Sequence, residues 1–280
     1  MWTQEHRRVH ARKGLRYPSD LTDAEWALVE LLLPPARRGG RPREVNMREV
    51  LNAVFYLLST GCQWNALPKD LPPKTTVYDY FSLWRSDRTL LRLHQALYAQ
   101  VREVSGRKAS PTVAILDSQS AKAAQKGGAS IDLQGYDAGK KVTGRKRHIL
   151  VDTLGLLLNV VVHRGDVQDR DGIRRLLRDA GRRFPSIAKL FADAAYQGPR
   201  AAKVVADTGA WQLEIVKRSE THKFIVLPKR WIVERTFAWI SRNRRLARDF
   251  ERYASTVVAF VRLAMIRIML RRLTRITPYP

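Results

Sequence analysis

The sequence predicts an α+β protein in which a small helical part precedes a part that contains a sheet. Apolar residues recur at helical spacing up to about residue 105, whereas short apolar runs typical of strands begin at about residue 112. The turn-forming pair Ser110-Pro111 separates the two patterns. We therefore expect two domains, one formed by residues 1–105 and the other by residues 106–280.

Four helices are predicted in the first domain. The first begins after Thr22, because Glu25 stands at the third helical position and completes a capping box. The next three cover about residues 47–59, 74–88 and 89–104. Short helices joined by turns in a basic segment are typical of a helix-turn-helix DNA reader, and residues 74–88 would then be the recognition helix. The alternative is a helical bundle that only packs on the rest of the chain.

The second domain alternates strands and helices. Its first strand is predicted to end at Asp117, and a hairpin with its turn at Leu154-Gly155 supplies the next two. A helix, a strand, a helix, a strand and long terminal helices follow, near residues 166–183, 190–193, 199–206, 211–216 and beyond. This is the element order of a ribonuclease H-like fold.

The composition indicates a polyanionic partner. Lys and Arg number 51 against 26 Asp and Glu, which gives a net charge of +25. Nucleic acid is the first candidate and an anionic membrane surface is the second. The single cysteine, Cys62, excludes an internal disulfide, and the N-terminal residues lack the apolar core of a secretory signal, so we expect a cytoplasmic protein. Arg262 and Arg267 interrupt the apolar run 254–270, which predicts a buried helix instead of a membrane span.

Three carboxylates are placed where they would bind metal. Asp117 and Asp193 each end a buried apolar strand, where a carboxylate is costly unless a cation compensates it. Glu234 falls at the margin of the apolar face of a helix that begins after Pro228. Oxygen ligands favour Mg²⁺ or Mn²⁺, and two such ions suit chemistry at a phosphodiester. For each acid alone, an ion pair with arginine or a capping role is the alternative.

Four segments resemble insertion-sequence transposases of family five, which belong to the retroviral-integrase-like superfamily. They are ILDSQS at 115–120, GYDAGKKVTGRKRHILVDTLGLLLNVVVHRGDVQDRDG at 135–172, ADAAYQG at 192–198 and PKRWIVERTFAWISRNRRL at 228–246. The resemblance implies a DDE triad at Asp117, Asp193 and Glu234. A further signature of that superfamily matches here only at Arg230 and Glu234, because Leu227 and Ser241 occupy its outer positions.

The resemblance also implies what the chain does. The first domain would bind the terminal inverted repeats of an insertion sequence, and the ribonuclease H-like domain would cleave and transfer DNA strands with two Mg²⁺ or Mn²⁺ ions. A homodimer is expected on the DNA, because two element ends must be joined. The alternatives are a catalytically silent regulator derived from a transposase and a simple metal-dependent nuclease.

Basic residues near the predicted active site are candidates for contacts with DNA phosphates. Alternatively they are solvated. They are Lys140, Lys141, Arg145, Lys146, Arg147, Arg230, Arg242, Arg244 and Arg245.

Other polar and aromatic residues are candidates with simpler roles. Asp166 is expected to be the N-cap of the helix 166–183, and Asp169 and Asp171 are expected to cap the helix or to face solvent. Asp152 is expected to belong to the hairpin turn, and the alternative is that it serves as a spare metal ligand. His163 and His222 lack metal-ligand spacing and are expected to be structural. Core packing is favoured over base stacking for three aromatic residues of the last segment: Trp231, Phe237 and Trp239.

The net charge of +25 predicts that DNA binding is dominated by phosphate contacts. The affinity of the protein for duplex DNA should therefore fall by orders of magnitude between about 50 and 200 mM salt. Fluorescence anisotropy over that range measures the slope. A flat titration would contradict this prediction.

Overall fold

The computed structural model describes residue 12, residues 14–36, residue 39 and residues 42–124, 132–209, 211–216 and 230–274. His222 and Leu227 lie outside these residues. In the N-terminal part the predicted helices are present: the first begins where expected, and the other three have bounds within two residues of those expected. They are α1 (Asp23–Glu30), α2 (Met47–Thr60), α3 (Lys74–Ser86) and α4 (Thr89–Val104).

Local sequence signals fix the ends of the first two helices. The Thr22 hydroxyl accepts from the Glu25 amide and the Glu25 carboxylate accepts from the Thr22 amide, so the predicted capping box is confirmed. Helix α2 ends at Gly61, whose φ of 71° lies in the left-handed region that glycine adopts without strain.

The second part contains a six-stranded mixed sheet. Strand β3 pairs antiparallel with β1 on one side and with β2 and β4 on the other. Strands β5 and β6 extend the sheet beyond β1, each parallel to its neighbour. The order β4-β3-β1-β5-β6 is compatible with a ribonuclease H-like domain. The strands are β1 (Val113–Lys122), β2 (Gly135–Asp137), β3 (Val142–Val151), β4 (Leu157–Arg164), β5 (Lys189–Asp193) and β6 (Gln212–Val216).

Five helices complete the described part of this region. The long helix near the C-terminal end buries Phe260 and Met265 completely, which confirms the predicted buried helix. No helix in the described ranges is both long enough and apolar enough to cross a membrane. The helices are α5 (Asp169–Arg183), α6 (Pro199–Thr208), α7 (Arg230–Ser241), α8 (Arg244–Ala247) and α9 (Ala254–Leu273).

The expected start of α5 is wrong by three residues. The helix begins at Asp169 after Gln168, so Asp166 is not its N-cap. The Asp166 carboxylate instead accepts two hydrogen bonds from the guanidinium of Arg164, at 3.0 and 2.7 Å, within the turn that follows β4. The Asp166 carboxylate therefore bonds to Arg164 of the same exposed turn, and not to the backbone amides at the start of α5.

A single apolar core runs through both parts of the chain. Helix α9 packs on α4 at one side and on β4 at the other, so the sheet and the N-terminal helices share buried residues. Phe81 of α3 stacks on Phe260 of α9, with ring centroids 4.9 Å apart. The apolar face of α3 is thus directed at the core. The boundary near residue 105 and the role of α3 as a recognition helix remain predictions.

Asp152, in the hairpin turn, ties α4 to the sheet. Its carboxylate is fully buried and forms an ion pair with Arg102 of α4. It also accepts from the Tyr98 hydroxyl and from the amides of Leu154 and Leu156. The favoured assignment of Asp152 to the turn is confirmed, because all these bonds are structural.

Removing one partner from this buried pair leaves the other charge without compensation. We predict that Asp152→Ala lowers the free energy of unfolding by about 3–5 kcal/mol. Asp166→Ala, which removes an exposed carboxylate, should change it by less than about 0.5 kcal/mol. Urea denaturation followed by circular dichroism compares the two variants. Equal stabilities would contradict the structural role of Asp152.

Candidate functional site

Asp117 and Asp193 stand level on neighbouring strands. The parallel pairing of β1 with β5 sets Ile115 opposite Phe191, and two residues further along the same register come the two aspartates. Both line one narrow pocket, together with Val216 of β6 and Val233 of α7. Pairing in parallel register thus brings together two acids that are far apart in sequence.

Each aspartate is oriented by a backbone amide. The Asp117 carboxylate accepts from the Ser118 amide at 2.7 Å. The Asp193 carboxylate accepts from the Ala195 amide at 3.0 Å and so caps a short 3₁₀ helix, Ala194–Tyr196. These backbone bonds fix the direction in which each carboxylate points.

Glu234 lies on the helix that closes this pocket. It directly follows Val233, which lines the pocket, but its own side chain is exposed. Within the described ranges, no three His, Cys, Asp or Glu side chains lie close enough to hold one metal ion. The structure therefore brings Asp117 and Asp193 together and places Glu234 on the adjacent helix. The donor set of the pair, carboxylate oxygens only, suits Mg²⁺ or Mn²⁺.

On the opposite face of β1, Ser118 begins a buried polar network. Its hydroxyl donates to the Asp169 carboxylate at 2.7 Å, and the Lys140 ammonium donates to the Ser118 carbonyl at 3.1 Å. Lys146 pairs with Asp169 at 3.1 Å and with Asp137 at 3.3 Å. Burial opposes ionisation of Asp169, but its bonds to Ser118 and Lys146 outweigh burial and lower its pKa.

This network was missed by the sequence analysis, which assigned Asp169 to capping or solvent. Asp171, in contrast, is exposed as expected. The available signal was the alternation of a strand, because the residue after Asp117 must face the other side of the sheet. Nothing local indicated that a residue 51 positions later would meet it there.

Two histidines and a tyrosine extend the network. The rings of His148 and His163 lie 4.6 Å apart, and the Tyr196 hydroxyl is 3.3 Å from Nδ1 of His148. Burial lowers the pKa of His148 to about 3, so its imidazole is neutral at pH 7. Burial likewise lowers the pKa of His163, which agrees with the structural role expected for it.

The predicted phosphate contacts at residues 145–147 are wrong. Arg145, Lys146 and Arg147 are only 1%, 5% and 2% exposed. Arg145 pairs with Asp249, at 3.1 Å, and donates to three backbone carbonyls. Arg147 donates to the carbonyls of Leu246 and Arg248. Strand β3 is paired on both sides and covered on both faces, so its basic side chains find their acceptors inside the protein.

Arg245 is also unavailable to DNA. It is buried, and its guanidinium binds the Glu251 carboxylate at 2.5 Å and the Cys62 carbonyl at 2.8 Å. Lys141, Arg242 and Arg244 are exposed and make no ion pair with any residue that the structure describes. Lys140 is exposed but reaches Ser118. The side chain of Arg230 lies outside the described part of the chain.

A row of exposed arginines on α5 was not predicted. Arg174, Arg178 and Arg182 follow each other at four-residue spacing, which places them on one face of the helix. They line a groove between α5 and α6. The signal was present in the sequence as a basic stripe on an amphipathic helix.

The aromatic residues of α7 have different environments. Phe237 is buried in the core, as expected. Trp231 is 46% exposed, and the Arg235 guanidinium lies between it and Trp239, at 4.4 and 4.7 Å from the two ring centroids. The expectation of core packing for Trp231 is therefore wrong, because its ring faces solvent and a stacked arginine.

Comparison with known proteins identifies related families. Residues 108–269, more than half of the chain, match the family model described as Transposase DDE domain, and residues 21–94 match a second model, for transposases of the IS4/5 family. An 88-residue segment is 33% identical to a Burkholderia cepacia protein named "Insertion element IS402 uncharacterized 16.2 kDa protein". That segment covers 29% of this chain and 60% of the relative. The chain therefore matches less than two thirds of that relative's length.

Buried and exposed arginines should respond differently to substitution. We predict that Arg147→Gln lowers the melting temperature, because carbonyls of Leu246 and Arg248 lose their donor. The double variant Arg242→Gln/Arg244→Gln should keep the melting temperature and lose DNA affinity, because it removes two exposed cations. Thermal denaturation and anisotropy with duplex DNA separate the two effects. An Arg147 variant with normal stability and weakened DNA binding would restore the original assignment.

Proposed function

This chain belongs to the DDE transposase family, of the IS4/5 type, and from that premise we propose that it cleaves the ends of an insertion sequence and joins them to target DNA at Asp117, Asp193 and Glu234. The observation that carries the proposal is the position of the two aspartates, level on adjacent parallel strands and lining one pocket with Val233 of α7. Glu234 directly follows Val233 on α7.

Members of this family generally depend on a divalent metal. We propose Mg²⁺ or Mn²⁺, two ions per site, held by the carboxylate oxygens of Asp117 and Asp193 with Glu234 as the third ligand. Such ions supply activation of an attacking oxygen and stabilisation of the departing one. The amides of Ser118 and Ala195 keep the two aspartates oriented.

Exposed cations would hold the phosphate backbone near this pocket. Lys141 lies in the turn between β2 and β3, whereas Arg242 and Arg244 come just after the end of α7. All three side chains are exposed. The arginine row of α5 begins one and a half turns after Asp169, so it extends away from the acids along the helix. We propose that DNA lies along these residues and that the arginines buried in β3 and α8 contribute only to the fold.

The N-terminal helices are proposed to recognise the inverted repeats. Tyr78 and Asp79 are exposed residues of α3, whereas Val77 and Phe81 of the same helix are buried. Two copies of the chain would act together in the cytoplasm, one on each element end.

A labelled element end incubated with a target plasmid tests the whole proposal. A silent regulator gives no product, a simple nuclease gives cleavage only, and a transposase gives joined product.

Each acid should be essential for the chemistry. We predict that Asp117→Ala, Asp193→Ala and Glu234→Ala each abolish cleavage and joining, because each removes an anionic metal ligand. DNA affinity should persist, since loss of negative charge does not weaken phosphate binding. Double variants should be no worse than single ones, because all act at one centre.

The matched control is Asp166→Ala, an exposed carboxylate that pairs only with Arg164 among the residues described. It should leave strand transfer unchanged. Near-normal, Mg²⁺-dependent transfer by any of the three acid variants would overturn the assignment of that residue.

A further inference from the structure

The backbone pairing of β1 with β5 stops before it reaches the two aspartates. Its last paired residues are Ile115 and Phe191. Beyond them β1 continues to Lys122 in pairing with β3, whereas the chain after Asp193 turns into the 3₁₀ helix Ala194–Tyr196. The β1–β5 register leads to the two aspartates but does not pair them: Asp117 pairs with Ile149 of β3 and Asp193 with Val216 of β6, which leaves side-chain contacts as the direct link between the two segments.

We propose that Ser118, Asp169, His148 and Tyr196 form a positioning network that holds Asp117 and Asp193 at the spacing a divalent metal requires. The inference rests on the function proposed above for the two aspartates. It adds residues that do not touch the metal or the DNA but act through the backbone on either side of the acids.

Ser118 anchors the first acid. It directly follows Asp117, and its amide donates to the Asp117 carboxylate while its hydroxyl donates to Asp169 on the opposite face of the strand. The Lys140 ammonium binds the Ser118 carbonyl and hydroxyl, at 3.1 and 3.3 Å. One residue thus connects the Asp117 carboxylate with the first turn of α5.

Tyr196 anchors the second acid. It is the last residue of the 3₁₀ helix that Asp193 caps, and its side chain is completely buried. Its hydroxyl lies 3.3 Å from Nδ1 of His148 on β3, and its ring meets the imidazole edge to face. The turn that carries Asp193 is thereby attached to β3, the strand that also pairs with the Asp117 strand.

His148 and Asp169 join these two anchors. The neutral imidazole shares a hydrogen bond with the Tyr196 hydroxyl through Nδ1. Its Nε2 faces the Asp169 carboxylate at 3.9 Å. Lys146 fixes the same carboxylate at 3.1 Å, and it also donates to the Val167 carbonyl at 3.0 Å. The contact between His148 and Asp169 is longer than a hydrogen bond, but the Tyr196 hydroxyl also bonds to the side chain of Ser118, so the two anchors are connected directly.

Close packing at Gly172 allows this arrangement. A Cβ on Gly172 would come within 2.5 Å of Nε2 of His163 and 2.7 Å of Nε2 of His148. Only glycine lets the first turn of α5 approach the two rings so closely, and this approach brings Asp169 to Ser118.

The test compares two buried tyrosines whose hydroxyls both bind buried polar groups. Tyr196→Phe removes the bond to His148, whereas Tyr98→Phe removes a bond to Asp152, far from the acids in the hairpin turn. Mn²⁺ binding to the full chain without DNA is measured by electron paramagnetic resonance, with Asp117→Ala as the reference for loss of the site. Melting temperatures are measured in parallel.

We expect Tyr196→Phe and Ser118→Ala to weaken Mn²⁺ binding by about tenfold or more, as is usual when groups that orient metal ligands are removed. The Mg²⁺ concentration for half-maximal cleavage should rise by a similar factor, with the rate at saturating Mg²⁺ changed much less. Tyr98→Phe should lower the melting temperature without affecting Mn²⁺ affinity.

Two failures are distinguishable. If Asp117→Ala binds Mn²⁺ as the unaltered protein does, the proposed function of the aspartates is wrong. If Asp117→Ala loses the ion while Tyr196→Phe and Ser118→Ala bind it normally, the acids are correct and the positioning network is overturned. Should Ser118→Ala not fold, Tyr196→Phe decides alone, because it only removes one oxygen.

Discussion

The buried basic run Arg145-Lys146-Arg147-His148 in β3 is the constraint on which both faces of the sheet depend. Alternation along the strand sends the two arginines to one face and Lys146 and His148 to the other. The arginines bind the segment 246–252, which follows α7 and α8. Lys146 and His148 bind the start of α5 and the turn after β5. An uncompensated buried cation costs several kcal/mol. Separating either the segment 246–252 or the start of α5 from the sheet would therefore lower the stability of the fold by a large amount.

Sequence reasoning succeeded where the signal was local and failed where the partner was distant. The start of α1 at its capping box and the end of α2 at Gly61 follow from a few neighbouring residues. The role of Arg145 depends on Asp249, which is 104 residues away. A cluster of five cations in eight residues looks the same in sequence whether it faces DNA or a ring of carbonyls. Its burial was therefore not predictable from charge.

The candidate site shows the same division. Each aspartate was found separately, because an acid after a short apolar run is unusual wherever it occurs, but the prediction that the first strand ends at Asp117 was wrong, since β1 continues to Lys122 in pairing with β3. Their level placement required the β1–β5 register, which no single segment encodes. Asp166 and Asp169 were confused for a related reason. Both lie near the start of an amphipathic helix. Asp166 pairs with its neighbour Arg164 on an exposed turn, whereas only the distant contact with Ser118 shows that Asp169 faces the interior.

The positioning network also explains how two carboxylates stay close before a metal arrives. Two carboxylates that line one narrow pocket repel each other, so some restraint must act on the strands that carry them. A restraint on the pocket side would occupy the space that the ion needs. Here it lies behind the sheet, where Lys146 pairs with both Asp137 and Asp169 and the Lys140 ammonium binds Ser118. Two acids and two lysines add no net charge, so the negative potential of Asp117 and Asp193 remains available to attract a divalent cation.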